Sequence, residues 1–172
     1  AEANHASDLS LVLDLLEVLE QPRGSMGSLP EFLGKFVVGF GFEAGALFFC
    51  KPGENELDQA QLGASVGIER GHWGDPSIPT SLARALLLRG ERALVLKGQA
   101  GRLALPAVIP QLADTGWTGV ALGLFAQGKA VGALVVAGPE TGLDSWTRES
   151  TLLRMARALA SSIQSERMEH RL

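Results

Sequence analysis

Two apolar runs, Trp117 to Phe125 and Lys129 to Ala137, stand back to back with only Ala126-Gln127-Gly128 between them. Runs of strand length joined so tightly pair with each other as the arms of an antiparallel hairpin. Both arms are almost continuously apolar, the pattern of strands covered on both faces. One face of the first arm reads Trp117, Gly119, Ala121, Gly123 and Phe125. Small residues within a strand serve either close packing of a covering helix or space for a bound ligand.

The elements around the hairpin follow from periodicity and punctuation. Asp8 to Gln21 reads as a helix with Ser7 as N-cap, ended by Pro22 and Gly24. Its apolar residues, including Leu11, Leu15 and Val18, cover more than one face. The surplus face fits either a partner subunit or deep burial in the same chain. A second helix is expected from Pro30, which suits a first helical turn, to Gly39. Ala44 to Cys50 and Leu57 to Val66 read as a second hairpin about the turn Lys51-Pro52-Gly53. Gly67 to Pro79 is a loop, Thr80 to Arg89 a helix stopped by Gly90, and Arg92 to Leu96 a short strand. A short helix is expected near Ile109 to Ala113, and a long one from Asp144 to His170. The long helix carries the apolar stripe Leu152, Met155, Ala156, Leu159 and Ile163. Helices at both ends with an antiparallel sheet between them make an α+β layered domain. One such domain is expected over residues 1–172, with its core at about 28–165.

Composition excludes several functions. A 46% apolar and 20% charged chain is globular. The net charge of −4, with no Lys/Arg stripe, argues against nucleic acid as a partner. No apolar run approaches the roughly 18 residues that cross a bilayer, so no membrane role is expected. A single cysteine, Cys50, fits a reducing compartment, with the cytoplasm as the expected location. The start at Ala1 and the end within a helical run suggest a segment of a longer protein.

The chain lacks H-E-x-x-H, C-x-x-C and G-x-S-x-G patterns, and its three histidines, His5, His72 and His170, are far apart. Cys50, within an apolar strand, reads as a buried small residue, since a reactive thiol needs an electropositive, accessible site. No catalysis, metal or cofactor is expected.

Thr118-Gly-Val-Ala-Leu-Gly-Leu124 followed by Gly128-Lys-Ala-Val-Gly-Ala-Leu134 resembles the central hairpin of GAF domains. Val131-Gly132-Ala133-Leu134 matches the second strand of that hairpin, while Gly123 stands where the family often has proline. Leu82 to Leu86 through Gly90 to Val95 is similar to the family's helix, glycine stop and edge strand. Trp146 with Leu152, Leu153, Ala156 and Ile163 resembles its closing helix. The resemblance implies a GAF/PAS-like antiparallel sheet of five or six strands, helices on both faces, and terminal helices packed together. It further implies a sensory or regulatory module, often a homodimer through its terminal helices, that acts on a downstream effector domain. The methionine-sulfoxide reductases related to GAF domains need several cysteines, and this chain has one.

The family's ligand cavity, carried onto this sequence, implicates His72 and Trp73 in the loop, Arg84 on the helix, Lys97 after the edge strand and Trp117 at the hairpin. An aromatic wall with a few polar or cationic groups suits a small organic or anionic molecule. Solvated surface charge is the competing reading for Arg84 and Lys97, and core packing for Trp117. Leu11, Leu15, Val18, Leu159 and Ile163 are the candidate dimer-interface residues. A ligand-free dimerisation or docking module is the alternative function.

Overall fold

The computed structural model describes residues 2–19, 25–51, 54, 56–67, 77–96, 117–139 and 146–170. These form helices α1 (Glu2–Leu19), α2 (Ser25–Gly39), α3 (Thr80–Arg89) and α4 (Trp146–His170). The strands are β1 (Ala44–Phe49), β2 (Gln61–Val66), β3 (Leu94–Leu96), β4 (Thr118–Ala126) and β5 (Lys129–Gly138). They lie in the order β2-β1-β5-β4-β3, every neighbouring pair antiparallel.

The apolar hairpin is the centre of this sheet. β4 and β5 pair from Thr118 opposite Gly138 to Ala126 opposite Lys129. Ala126 therefore belongs to the strand, and the turn is Gln127-Gly128 alone. Their φ angles of 54° and 77° are both left-handed, the two-residue turn whose twist matches that of the paired strands. Each flat side of the hairpin has its own core. Val120, Leu122, Leu124, Leu134 and Val136 join α1, α2 and α4 in one cluster. Ala121, Ala133, Val135 and Ala137 join α3 in the other. Burial on both faces is what the nearly unbroken apolar runs required.

α2 shows how the first cluster is filled. Phe32, Phe36 and Phe40 recur every fourth residue, so they form one stripe, and all are at most 1% exposed. Their ring centroids are 6.0 and 4.7 Å apart in succession. The helix comes close to the sheet at Gly45, where a Cβ would lie 2.6 Å from Val37 Cγ2. Gly41, at φ 82°, ends the helix as Phe42 N–H donates to the Val37 carbonyl at 2.8 Å. That left-handed closure is the common glycine stop of an α-helix. α1 and α4 pack against each other and against α2, so the terminal helices share the same face.

Several boundaries differ from expectation. α1 begins at Glu2, so Ser7 lies inside it. α2 begins at Ser25 and takes Pro30 into its interior. The ring removes one N–H, but Leu29, Phe32 and Leu33 beside it are buried and hold that turn in place. Leu57–Gln59 is a 3-10 turn, and β2 starts only at Gln61. The turn buries Leu57 completely, which a strand register starting there would not do. β3 has three residues and leaves out Arg92. Asp144, Ser145 and the helix expected near Ile109 to Ala113 lie outside the described residues. Among the described residues, no helix is long and apolar enough to cross a membrane.

Candidate functional site

Alternation along β4 sends Val120, Leu122 and Leu124 toward the three-helix layer and Ala121 toward α3. The strip Trp117, Gly119, Ala121, Gly123 and Phe125 therefore faces α3. Its outer part is closed by packing, because a Cβ on Gly123 would lie 2.5 Å from the Phe125 ring. Phe125 itself is half-buried against the α3-side cluster. Phe125 is two residues beyond Gly123 on one strand face, so sequence spacing contained this pairing, although the site residues chosen from sequence omitted it. At the other end of the strip Trp117 is half-buried against the same cluster, whose core includes Leu82, Ala83, Leu86 and Leu96.

The pairing registers show what surrounds Trp117. Thr118 is opposite Gly138, Ala137 opposite Ala44, and Gly45 opposite Val66. Leu96 is opposite Gly119 on the far side of β4. The ends of β2, β3 and β5 and the start of β4 thus share one end of the sheet. The segment carrying His72 and Trp73 leaves from Gly67 at that end. It rejoins β2 at the opposite end of the sheet, where Ser77 bridges to Gln61 and Ile78 N–H donates to the Ala60 carbonyl at 2.9 Å. The segment beginning at Lys97 leaves from Leu96 and rejoins the sheet at Trp117. His72, Trp73 and Lys97 themselves lie outside the described residues.

Arg84 is placed differently. Leu82, Ala83 and Leu86 form the buried side of α3, and Arg84 stands on its exposed side. The structure does not bring it into the cluster that holds Trp117. The dimer-interface candidates also fall elsewhere. Leu15, Val18, Leu159 and Ile163 are at most 1% exposed within one chain and belong to the three-helix core. Most of the described apolar surface of α1 is spent inside the chain against α2 and α4, and Leu13 is left exposed. Leu11 lies on α1, and its side chain is outside the described set.

Cys50 is 1% exposed in the α3-side cluster. Among the described residues, no group of His, Cys, Asp and Glu could hold a metal ion. The described part of this face is an apolar surface of small and aromatic groups. It offers shape and stacking; of the polar candidates, His72 and Lys97 belong to segments that depart from its one end, and Arg84 stands on the outside of α3.

No protein-family model matches the chain, and no curated protein matches it either. Solved structures do. The GAF domain of a phosphoenolpyruvate-protein phosphotransferase from Coxiella burnetii superposes with a TM-score of 0.74 at 19% identity, covering 98% of this chain and 99% of that one. The GAF domain of the Acinetobacter phosphoenolpyruvate-protein phosphotransferase gives 0.73 at 13% identity, covering 96% and 98%. A free methionine-R-sulfoxide reductase from Neisseria meningitidis, in complex with its substrate, gives 0.65 at 15% identity, covering 94% and 91%. The sheet order, the α1–α4 pairing and these superpositions agree, and the chain has the GAF-domain fold.

Proposed function

We propose that this chain is a non-catalytic regulatory module that binds a small organic or anionic molecule beside α3 and passes its occupancy through α1 and α4. The observation that carries this reading is the shared end of the sheet. The segments bearing His72, Trp73 and Lys97 all depart from it, and Trp117 opens β4 there. In this reading Trp73 and Trp117 supply stacking surface, and His72 and Lys97 supply donors for a carboxylate, phosphate or similar group. Arg84 contributes long-range charge from the outside of α3. The two superposed GAF domains each come from a phosphotransferase, which supports reading this chain as one module of a larger protein. The likeness to a sulfoxide reductase does not extend to its chemistry. A thiol–disulfide cycle within one chain needs a second cysteine, and Cys50 is the chain's single one.

Thermal-shift screening against nucleotides, amino acids and inorganic oxyanions tests the proposal. A binder should raise the melting temperature of the native chain and lose most of its effect in Trp117→Ala. A flat screen, or a hit indifferent to that substitution, rejects the site. The second reading, a docking module without a ligand, is favoured by one observation: Leu13 on α1 is 58% exposed and Val38 on α2 is 77% exposed.

A further inference from the structure

α1 and α2 each turn a stripe of residues outward. On α1 it is Ser10, Leu13, Asp14 and Glu17, all exposed at helical spacing. On α2 it is Glu31, Lys35 and Val38, with Gly34 half-buried between them. The two stripes bound a groove of about 590 Å³ lined by Asp14, Glu31, Gly34, Lys35, Val38 and Gly39. Its floor is open at Gly34, where an added Cβ would meet nothing within 4 Å. Two large apolar side chains, Leu13 and Val38, are left to water on these helices, whereas their neighbours Leu15 and Val37 are buried. Such exposure beside a concavity marks an interaction surface.

The charge on the rim selects the partner. Lys35 Nζ lies 3.9 Å from Glu31 Oε1, so this pair is close to neutral. Asp14 then sets the sign at the groove, and Glu17 extends it one turn along the same exposed stripe of α1. α1 has no Lys or Arg anywhere between Glu2 and Leu19. We infer that this groove docks a basic amphipathic helix, with an aliphatic side chain seated over Gly34 beside Val38, and Lys or Arg against Asp14 and, one turn along α1, Glu17. Helix-in-groove docking uses this combination of an apolar anchor and a charged margin. The site lies on the three-helix side of the sheet, so it stands or falls separately from ligand binding beside α3.

The test uses a synthetic amphipathic Leu/Lys helix of about 18 residues, a Leu/Glu helix of the same pattern, and a scrambled Leu/Lys peptide. Binding is followed by amide NMR shifts of the whole chain. The Leu/Lys helix should bind and shift residues around Leu13, Gly34 and Val38, and the Leu/Glu and scrambled peptides should bind at least about tenfold more weakly. Asp14→Lys with Glu17→Lys should weaken Leu/Lys binding about tenfold or more, and added salt should weaken it in the native chain. Gly34→Leu fills the floor without touching the core or the charge, and it should abolish binding while circular dichroism shows a folded chain. Absence of binding, or binding unchanged in Gly34→Leu, overturns the inference. So does self-association of the native chain that Gly34→Leu abolishes, because the groove would then belong to a second copy.

Discussion

Gly34 and Gly132 are both glycines inside regular structure, yet opposite outcomes are expected when a methyl group is added. At Gly34 the space is open, so Gly34→Ala should stabilise the chain by about 0.5–1 kcal/mol through helix propensity. At Gly132 a Cβ would run into the Phe48 carbonyl oxygen of the neighbouring strand. Gly132→Ala must push β1 from β5, and a loss of roughly 2–4 kcal/mol is expected. Denaturant melts of the two variants measure both, and a Gly132→Ala chain as stable as the native one would contradict this account of the central pairing. The thiol of Cys50 gives a second residue-scale prediction. Because it is 1% exposed, its reaction with a thiol reagent should be limited by opening of the fold and accelerate in denaturant. Immediate reaction in native buffer would mean that the α3 face is open to solvent there. Cys50 was legible from sequence because its neighbours in the strand are apolar. Gly45 was not, since its closeness to Val37 depends on how α2 crosses the sheet.

Among the elements, the hairpin and α3 were the most legible. β4 and β5 announced themselves by length and apolarity, and α3 runs from Thr80 to Arg89 as its spacing and Gly90 predict. The start of α2 was hidden because Pro30 reads locally as a first helical residue, and the burial that carries the helix back to Ser25 comes from distant residues. The three-residue 3-10 turn at Leu57 was hidden for a like reason. Its buried leucine packs against residues far along the chain, whereas its sequence merely reads as apolar. Within α2, Phe36 lies between Phe32 and Phe40 with no exposed surface, so Phe36→Ala should cost about 3–5 kcal/mol. Thermal unfolding should show it as the largest loss along that helix. A different magnitude belongs to the pair joining α4 to the segment after α3. Arg157 reaches Glu91 Oε2 with Nη2 at 2.9 Å and Nε at 3.1 Å. Both side chains are about half exposed or more, so a double-mutant cycle of Arg157→Ala and Glu91→Ala should give a coupling below about 1 kcal/mol. A coupling of several kcal/mol would show that the pair is shielded from water.

For the whole molecule, the antiparallel layering and the helices on both faces were readable because each strand carries its burial pattern locally. The register was not, and the register is what assembles the candidate site. Trp117 and the departures toward His72 and Lys97 meet at one end of the sheet only through the chain of pairings across β1, β5 and β4. The same nonlocality is why sequence left two readings open for Arg84, cavity or solvated surface, and the residue stands on the exposed side of α3. It also explains the helices. Leu15, Val18, Leu159 and Ile163 looked available to a partner subunit until the packing of α1, α2 and α4 consumed them. The central claim is that a ligand enters on the α3 side and leaves the three-helix core as the transmitting layer. The most direct measurement is amide NMR of the native chain with a compound retained from the thermal-shift screen. The account predicts shifts at Trp117, Gly119 and Ala121 and along α3, with smaller changes following along α4. Shifts confined to α1 and α2, with the Trp117 end of β4 unmoved, would contradict it.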